Sequence, residues 1–175
     1  MICYDNLHFA CAPRVGASWF LKACQLSGLG PGFYRELTPH DGTFRVSLIR
    51  HPVRWLESVY SARAVGWNSS RLGRIALLEA NKGLESFVWQ YLEEMPGEVG
   101  KTMLAFEADS VMRIEDMPWA FLELASAIGI DQKFFPNIKG MNKTNSSGET
   151  TEITNFQRRR VIEAEKELCH EFGYF

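Results

Sequence analysis

The stretch Leu7-His-Phe-Ala-Cys-Ala-Pro-Arg-Val-Gly-Ala-Ser-Trp-Phe-Leu-Lys-Ala-Cys-Gln-Leu-Ser-Gly28 changes its hydrophobic pattern part-way through. Leu7 to Ala12 is short, apolar and partly β-prone, and Pro13 closes it, as suits a buried strand ending at a turn. Trp19 to Leu26 is long enough for a helix, and Gly28 supplies its C-terminal stop. The stretch therefore reads strand, glycine-containing turn, helix. Working outward, Thr43 to Ile49 is the next strand and runs into Arg50-His51-Pro52, where the proline suits the first turn of a helix. In that helix Val53, Leu56, Tyr60 and Ala64 recur at helical spacing. Val111 to Ile114 reads as a third short strand. Asp116 then caps a helix from Trp119 to Ile128 that Gly129 stops. Asn68 to Gly100 reads as helical insertions. A last helix runs from Thr154 to Phe172, opened by a Thr154/Gln157 capping box, with Val161, Glu165, Leu168 and Phe172 along one stripe and Gly173 at its end. This alternation predicts one α/β domain over residues 1–175: a three-layer sandwich with a mainly parallel central sheet and a helical insertion at about 68–100.

Composition bounds the function. The chain has 175 residues, 46% of them hydrophobic and 23% charged, which excludes a mostly disordered polypeptide. A domain of this size buries roughly 70% of the surface of its unfolded chain and needs no disulfide or structural metal. Lys and Arg number 19 against 21 Asp and Glu, for a net charge of −2. Neither nucleic acid nor a membrane surface is an expected partner, and any anion site must be local. Cys3, Cys11, Cys24 and Cys169 show no CxxC spacing and read as reduced core thiols. The N-terminal residues lack a basic segment followed by an apolar one, and no window has the length of a membrane span, so a cytoplasmic location is expected.

In a parallel α/β sheet, ligands bind at the carboxyl ends of strands, where loops lead into helix N-termini. Two such loops are polar here. The first, Ala12 to Trp19, has the length of a phosphate-binding loop. Aligned on Gly16 and Ser18, the pattern GxxxxGK[ST] meets Cys11 at its first glycine and Ala17 at its lysine, which argues against hydrolysis of ATP or GTP. The backbone logic survives. Gly16 permits close approach, the amides of residues 16–19 are expected to converge, and a helix dipole favours an anion there, with Arg14 restoring a positive charge. The plainer reading is a turn in which Ser18 caps the helix. In the second loop, Arg50 ends a strand and Ser58 lies in the second turn of the next helix, so a guanidinium fork and a hydroxyl can meet one phosphate. The plainer reading pairs Arg50 with a surface carboxylate and leaves Ser58 solvated.

Taken together, Pro13-Arg14-Val15-Gly16-Ala17-Ser18-Trp19 and Ile49-Arg50-His51-Pro52, followed by Ser58, resemble the two cofactor loops of the sulfotransferases that use 3′-phosphoadenosine 5′-phosphosulfate. In that family the first loop reads P-K-x-G-T-[TS]-W and the second R-[DN]-P with a serine eight residues after the arginine, the spacing of Arg50 and Ser58. Arg113-Ile114-Glu115-Asp116-Met117 is similar to the family's [YF]-E-D-L segment, and Glu165 through Tyr174 resembles its C-terminal helix ending in Gly-Tyr. The resemblance implies a P-loop-type sulfotransferase fold. It implies donor binding by Arg14, Gly16, Ala17, Ser18 and Trp19 at the 5′-phosphosulfate and by Arg50 and Ser58 at the 3′-phosphate. Lys143 falls where many members use a basic loop over the adenosine phosphates.

The implied reaction is an in-line displacement that passes the sulfuryl group to a hydroxyl or amine of a carbohydrate or small molecule. The family's base lies between the two loops, where Glu36 and His40 are the candidates. His40 has a suitable ordinary pKa, whereas Glu36 needs burial to raise its own. Arg14 stands where the family has a lysine and Ala17 where it has a threonine: the charge is kept, a readily donated proton and one hydroxyl are not. The chemistry needs no metal, and His8, His51 and His170 form no metal-ligand spacing. Arg63 and the Arg158-Arg159-Arg160 run read as surface. Two alternatives stay open: a nucleotide-kinase-like enzyme, and a non-catalytic nucleotide-binding domain derived from the sulfotransferase fold.

Overall fold

A computed structural model describes residues 2–4, 7–29, 32–34, 42–62, 71–79, 81–139 and 153–175. They form a mixed α/β chain that divides into two compact units, one of residues 1–50 and 103–144, the other of residues 51–102 and 145–175.

The first unit is built on a sheet. Strands β1 (Ile2–Tyr4), β2 (Leu7–Phe9), β3 (Phe33–Tyr34), β4 (Arg45–Ile49) and β5 (Ser110–Arg113) stand in the order β3-β1-β2-β4-β5. The three strands expected from the sequence, β2, β4 and β5, pair in parallel, with Phe9 opposite Val46 and Ile49 opposite Arg113. The expected mainly parallel sheet needs correction at its other edge, where β1 pairs antiparallel with both β2 and β3. Strands of two or three residues are too short to show a hydrophobic period. All five residues of β4 are buried, as expected of a central parallel strand covered on both faces. Helix α1 (Ala17–Leu26) seats Phe20 on Phe9, with ring centroids 4.1 Å apart and nearly coplanar. A later helix of this unit, Trp119–Ala127, brings Phe121 edge-on to Phe20 at 5.3 Å.

The second unit is helical among its described residues. It comprises α2 (Pro52–Ser61), α3 (Arg71–Leu78), α4 (Leu84–Glu94), most of α5 (Glu98–Met103), and two C-terminal helices. Tyr60 of α2 meets Phe87 of α4 at 5.6 Å, and Trp55, Leu56, Val59, Val88, Tyr91 and Val161 complete a buried core. The helix expected to open at Pro52 does so, with a cap the sequence reading missed. His51 Nδ1 accepts from the Val53 amide at 3.2 Å, and the ring packs on Tyr174 at 5.2 Å. Loss of a cap costs about 0.5 to 2 kcal/mol. His51→Ala is therefore expected to lower stability by about that amount in urea unfolding, and His51→Asn, which restores an acceptor, to recover most of it.

The helices numbered on from α5 are α6 (Trp119–Ala127), α7 (Phe135–Lys139), α8 (Asn155–Ala164) and α9 (Lys166–Phe172). Two expectations change here. Asp116 does not cap α6. Pro118 occupies that place, and Asp116 instead receives a two-point bond from Arg113, Nε to Oδ2 at 2.6 Å and Nη2 to Oδ1 at 2.9 Å. The single C-terminal helix is broken at Glu165, which leaves helical geometry at φ −107° and ψ 26°. The Thr154/Gln157 capping box is present, and Gly173 ends α9.

Cys24 and Cys169 are buried and Cys11 half-buried, all three as free thiols. Burial pushes Cys11 up to about 12 and Cys169 to about 11, the latter helped by the nearby Glu165. Among the described residues no helix is long and apolar enough to cross a membrane.

Candidate functional site

The loop from Cys11 to Gly16 leaves the carboxyl end of β2 and enters α1 through two residues of positive φ, Arg14 at 67° and Gly16 at 97°. Gly16 is the N-cap residue of α1 and no side chain caps the helix. Ser18 is exposed in the first turn, so it does not act as the cap. The expected convergence of the amides of residues 16–19 is narrower than the sequence suggested. Trp19 and Phe20 both donate to the Gly16 carbonyl, at 3.0 and 3.2 Å, leaving Ala17 and Ser18 as the first-turn amides without an intrahelical acceptor. Trp19 is buried edge-on against Phe121 at 5.9 Å, and its indole Nε1 has no hydrogen-bond partner among the described residues.

Arg50 directly follows β4, the parallel neighbour of β2, and its Nη1 donates to the Arg14 carbonyl at 3.2 Å. The second-loop arginine is thus fastened to the first loop. Its backbone N–H points to Met103 Sδ at 3.5 Å. Both arginines are half-buried, and partial removal from water strengthens the attraction of a guanidinium for a polyanion.

A contact that sequence reasoning missed lies beneath the loop. A Cβ placed on Gly16 would come within 2.4 Å of Ile114 Cδ1. Ile114 follows β5 inside the Arg113-to-Met117 segment singled out above, so that segment braces the loop through its isoleucine while Arg113 and Asp116 hold each other. Similarity to the [YF]-E-D-L motif marked the segment, but nothing in a linear sequence showed which residue touches Gly16.

The other named residues are placed as follows. Ser58 is buried on α2, 4% exposed, in the second unit, so it is not the solvated helix residue of the plainer reading. Ala17 is half-buried at the first position of α1. Of the Arg158-Arg159-Arg160 run, Arg159 and Arg160 are exposed and Arg158 is half-buried. Glu36, His40, Arg63 and Lys143 lie outside the described residues.

No protein-family model, curated protein or solved structure matches this chain.

Proposed function

We propose that the chain binds 3′-phosphoadenosine 5′-phosphosulfate and transfers its sulfuryl group to a hydroxyl or amine of a carbohydrate or small-molecule acceptor, on a P-loop-type α/β fold of one domain. The observation that carries this reading is the bond from Arg50 to the Arg14 carbonyl. It draws together two loops that leave the carboxyl ends of adjacent parallel strands and sets the Arg50 guanidinium against the loop that leads into α1, two residues before its N-cap Gly16. Two cations, a left-handed glycine and the first-turn amides of a helix suit a ligand with several negative charges. The motifs of both loops supply the identity of that ligand.

In this reading Ala17 and Ser18 offer backbone amides to the phosphosulfate, and Arg14 offsets charge gathering on the departing 5′-phosphate. The acceptor loses its proton to Glu36 or His40 as its oxygen or nitrogen bonds to sulfur. The bond from sulfur to the bridging oxygen breaks, and that oxygen leaves with the phosphate. A guanidinium is a poorer proton donor than the ammonium of a lysine, which favours, as the second reading, a binding module without turnover.

Calorimetric titration with adenosine 3′,5′-bisphosphate, against AMP and Mg·ATP, tests the donor assignment. Tight binding of the bisphosphate with a large preference over AMP is expected, and a preference for Mg·ATP would replace this reading with a kinase-like one. Arg50→Ala removes a charge-assisted contact worth about 1.5 to 3 kcal/mol, so bisphosphate affinity is expected to fall roughly 10- to 150-fold. An unchanged affinity would remove Arg50 from the site.

A further inference from the structure

Helices α4 and α8 lie side by side in the second unit and run in the same direction. Gln157 near the start of α8 donates to the Glu85 carbonyl near the start of α4, and Tyr91 towards the end of α4 donates to Glu165 just past the end of α8. Their outer faces meet in an aromatic pair, Trp89 and Phe156, with ring centroids 5.8 Å apart. Both residues are exposed, Trp89 at 41% and Phe156 at 62%. An exposed tryptophan packed on an exposed phenylalanine is unusual on a surface that meets only solvent.

The charges around this pair are sorted by helix. On α4, Glu85 and Glu93 stand four residues either side of Trp89, so all three share one stripe. On α8, Arg159 and Arg160 follow Phe156 by three and four residues, again on one stripe, which the exposed Glu163 closes a turn further on. All five charged side chains are exposed, and none forms an ion pair among the described residues. The face is therefore acidic along α4, basic along α8 next to the aromatic pair with Glu163 at its far end, and aromatic in between.

We infer that this face binds a second copy of the chain. A two-fold axis through the Trp89–Phe156 pair sets α4 of one copy against α8 of the other, so the acidic stripe meets the basic stripe twice, around four shared aromatic rings. Such self-complementarity is what a symmetric dimer requires of a single patch, and Trp and Arg are the residues that interface centres favour. A uniformly charged partner, such as an anionic lipid surface, would meet repulsion from one of the two stripes.

Sedimentation equilibrium of the full chain at about 5 to 200 µM, a range suited to a modest interface, is expected to show a monomer–dimer equilibrium. Glu85→Lys with Glu93→Lys, and separately Arg159→Glu with Arg160→Glu, should each weaken dimerisation about tenfold or more by setting like charges opposite one another. An equimolar mixture of the two variants restores opposite charges at both contacts and should dimerise again. All substitutions are at exposed positions, and circular dichroism verifies the fold of each variant. A monomer across the whole range overturns the inference, even if this face then adsorbs to vesicles. So does a dimer that survives both reversals and Trp89→Glu.

Discussion

Replacing Glu165 by alanine is expected to cost about 3 to 5 kcal/mol of stability and to lower the melting temperature by roughly 10 °C. Glu165 is 2% exposed. Its carboxylate accepts from the Tyr91 hydroxyl and from the amides of Val99 at 3.2 Å and Gly100 at 2.7 Å. Alanine would leave three buried donors without an acceptor. A loss below about 1 kcal/mol in thermal or urea unfolding would mean that water reaches these donors in the variant. The same residue sets a pH dependence. Burial pushes Glu165 up to about 7, against the opposing pull of the Gly100, Val99 and Gly97 amides. Between 4.5, its ordinary value, and about 7 the unfolded chain has released this proton while the folded chain still holds it. The stabilisation is thus complete below 4.5 and is lost as pH rises through that window, at up to about 1.4 kcal/mol per pH unit. Glu165→Gln should flatten that slope. Glu79, lowered by hydrogen bonds from Ser86 and Lys82, and Asp131, lowered by Lys133, act in the opposite direction and only as pH falls below their ordinary values, outside the window.

Gly16→Ala is expected to destabilise the first unit by about 2 to 4 kcal/mol, combining left-handed strain of about 1 to 2 kcal/mol with the overpacking of Ile114. The backbone φ of 97° disfavours any side chain, and the added methyl would meet Ile114 Cδ1 at 2.4 Å and Cγ1 at 2.7 Å. Gly42→Ala separates the two contributions, because Gly42 has φ 86° but nothing within 4 Å of an added Cβ. The Gly16 variant should lose more than the Gly42 variant in urea unfolding. Shortening Ile114 to valine should return part of the difference, because it removes the Cδ1 methyl that the new methyl meets. Equal losses would mean that Ile114 moves aside without cost and that strain alone sets the effect. Since Gly16 also aims the amides of Ala17 and Ser18, the variant is expected to bind adenosine 3′,5′-bisphosphate more weakly than the Gly42 control.

What the sequence determined by itself is local. A short apolar run closed by Pro13, the glycines after α1 and α6, Pro52 at a helix start and the Thr154/Gln157 box each act within one turn of chain, so strands β2, β4 and β5 and the helices beside them were legible. The spacing of Arg14, Gly16 and Arg50 was legible for the same reason. The tertiary structure decided whatever depends on a partner distant in sequence. Glu165 reads as one residue of a continuous helical stripe until Tyr91, Val99 and Gly100 draw its carboxylate inward and break the helix there. Asp116 reads as a cap, but Arg113 claims it. The antiparallel edge of the sheet rests on strands of two and three residues, which acquire definition only from the neighbours they pair with. Neither the fastening of Arg50 to the Arg14 carbonyl nor the seat of Gly16 on Ile114 has a signature in spacing, because both depend on which strands the sheet places side by side.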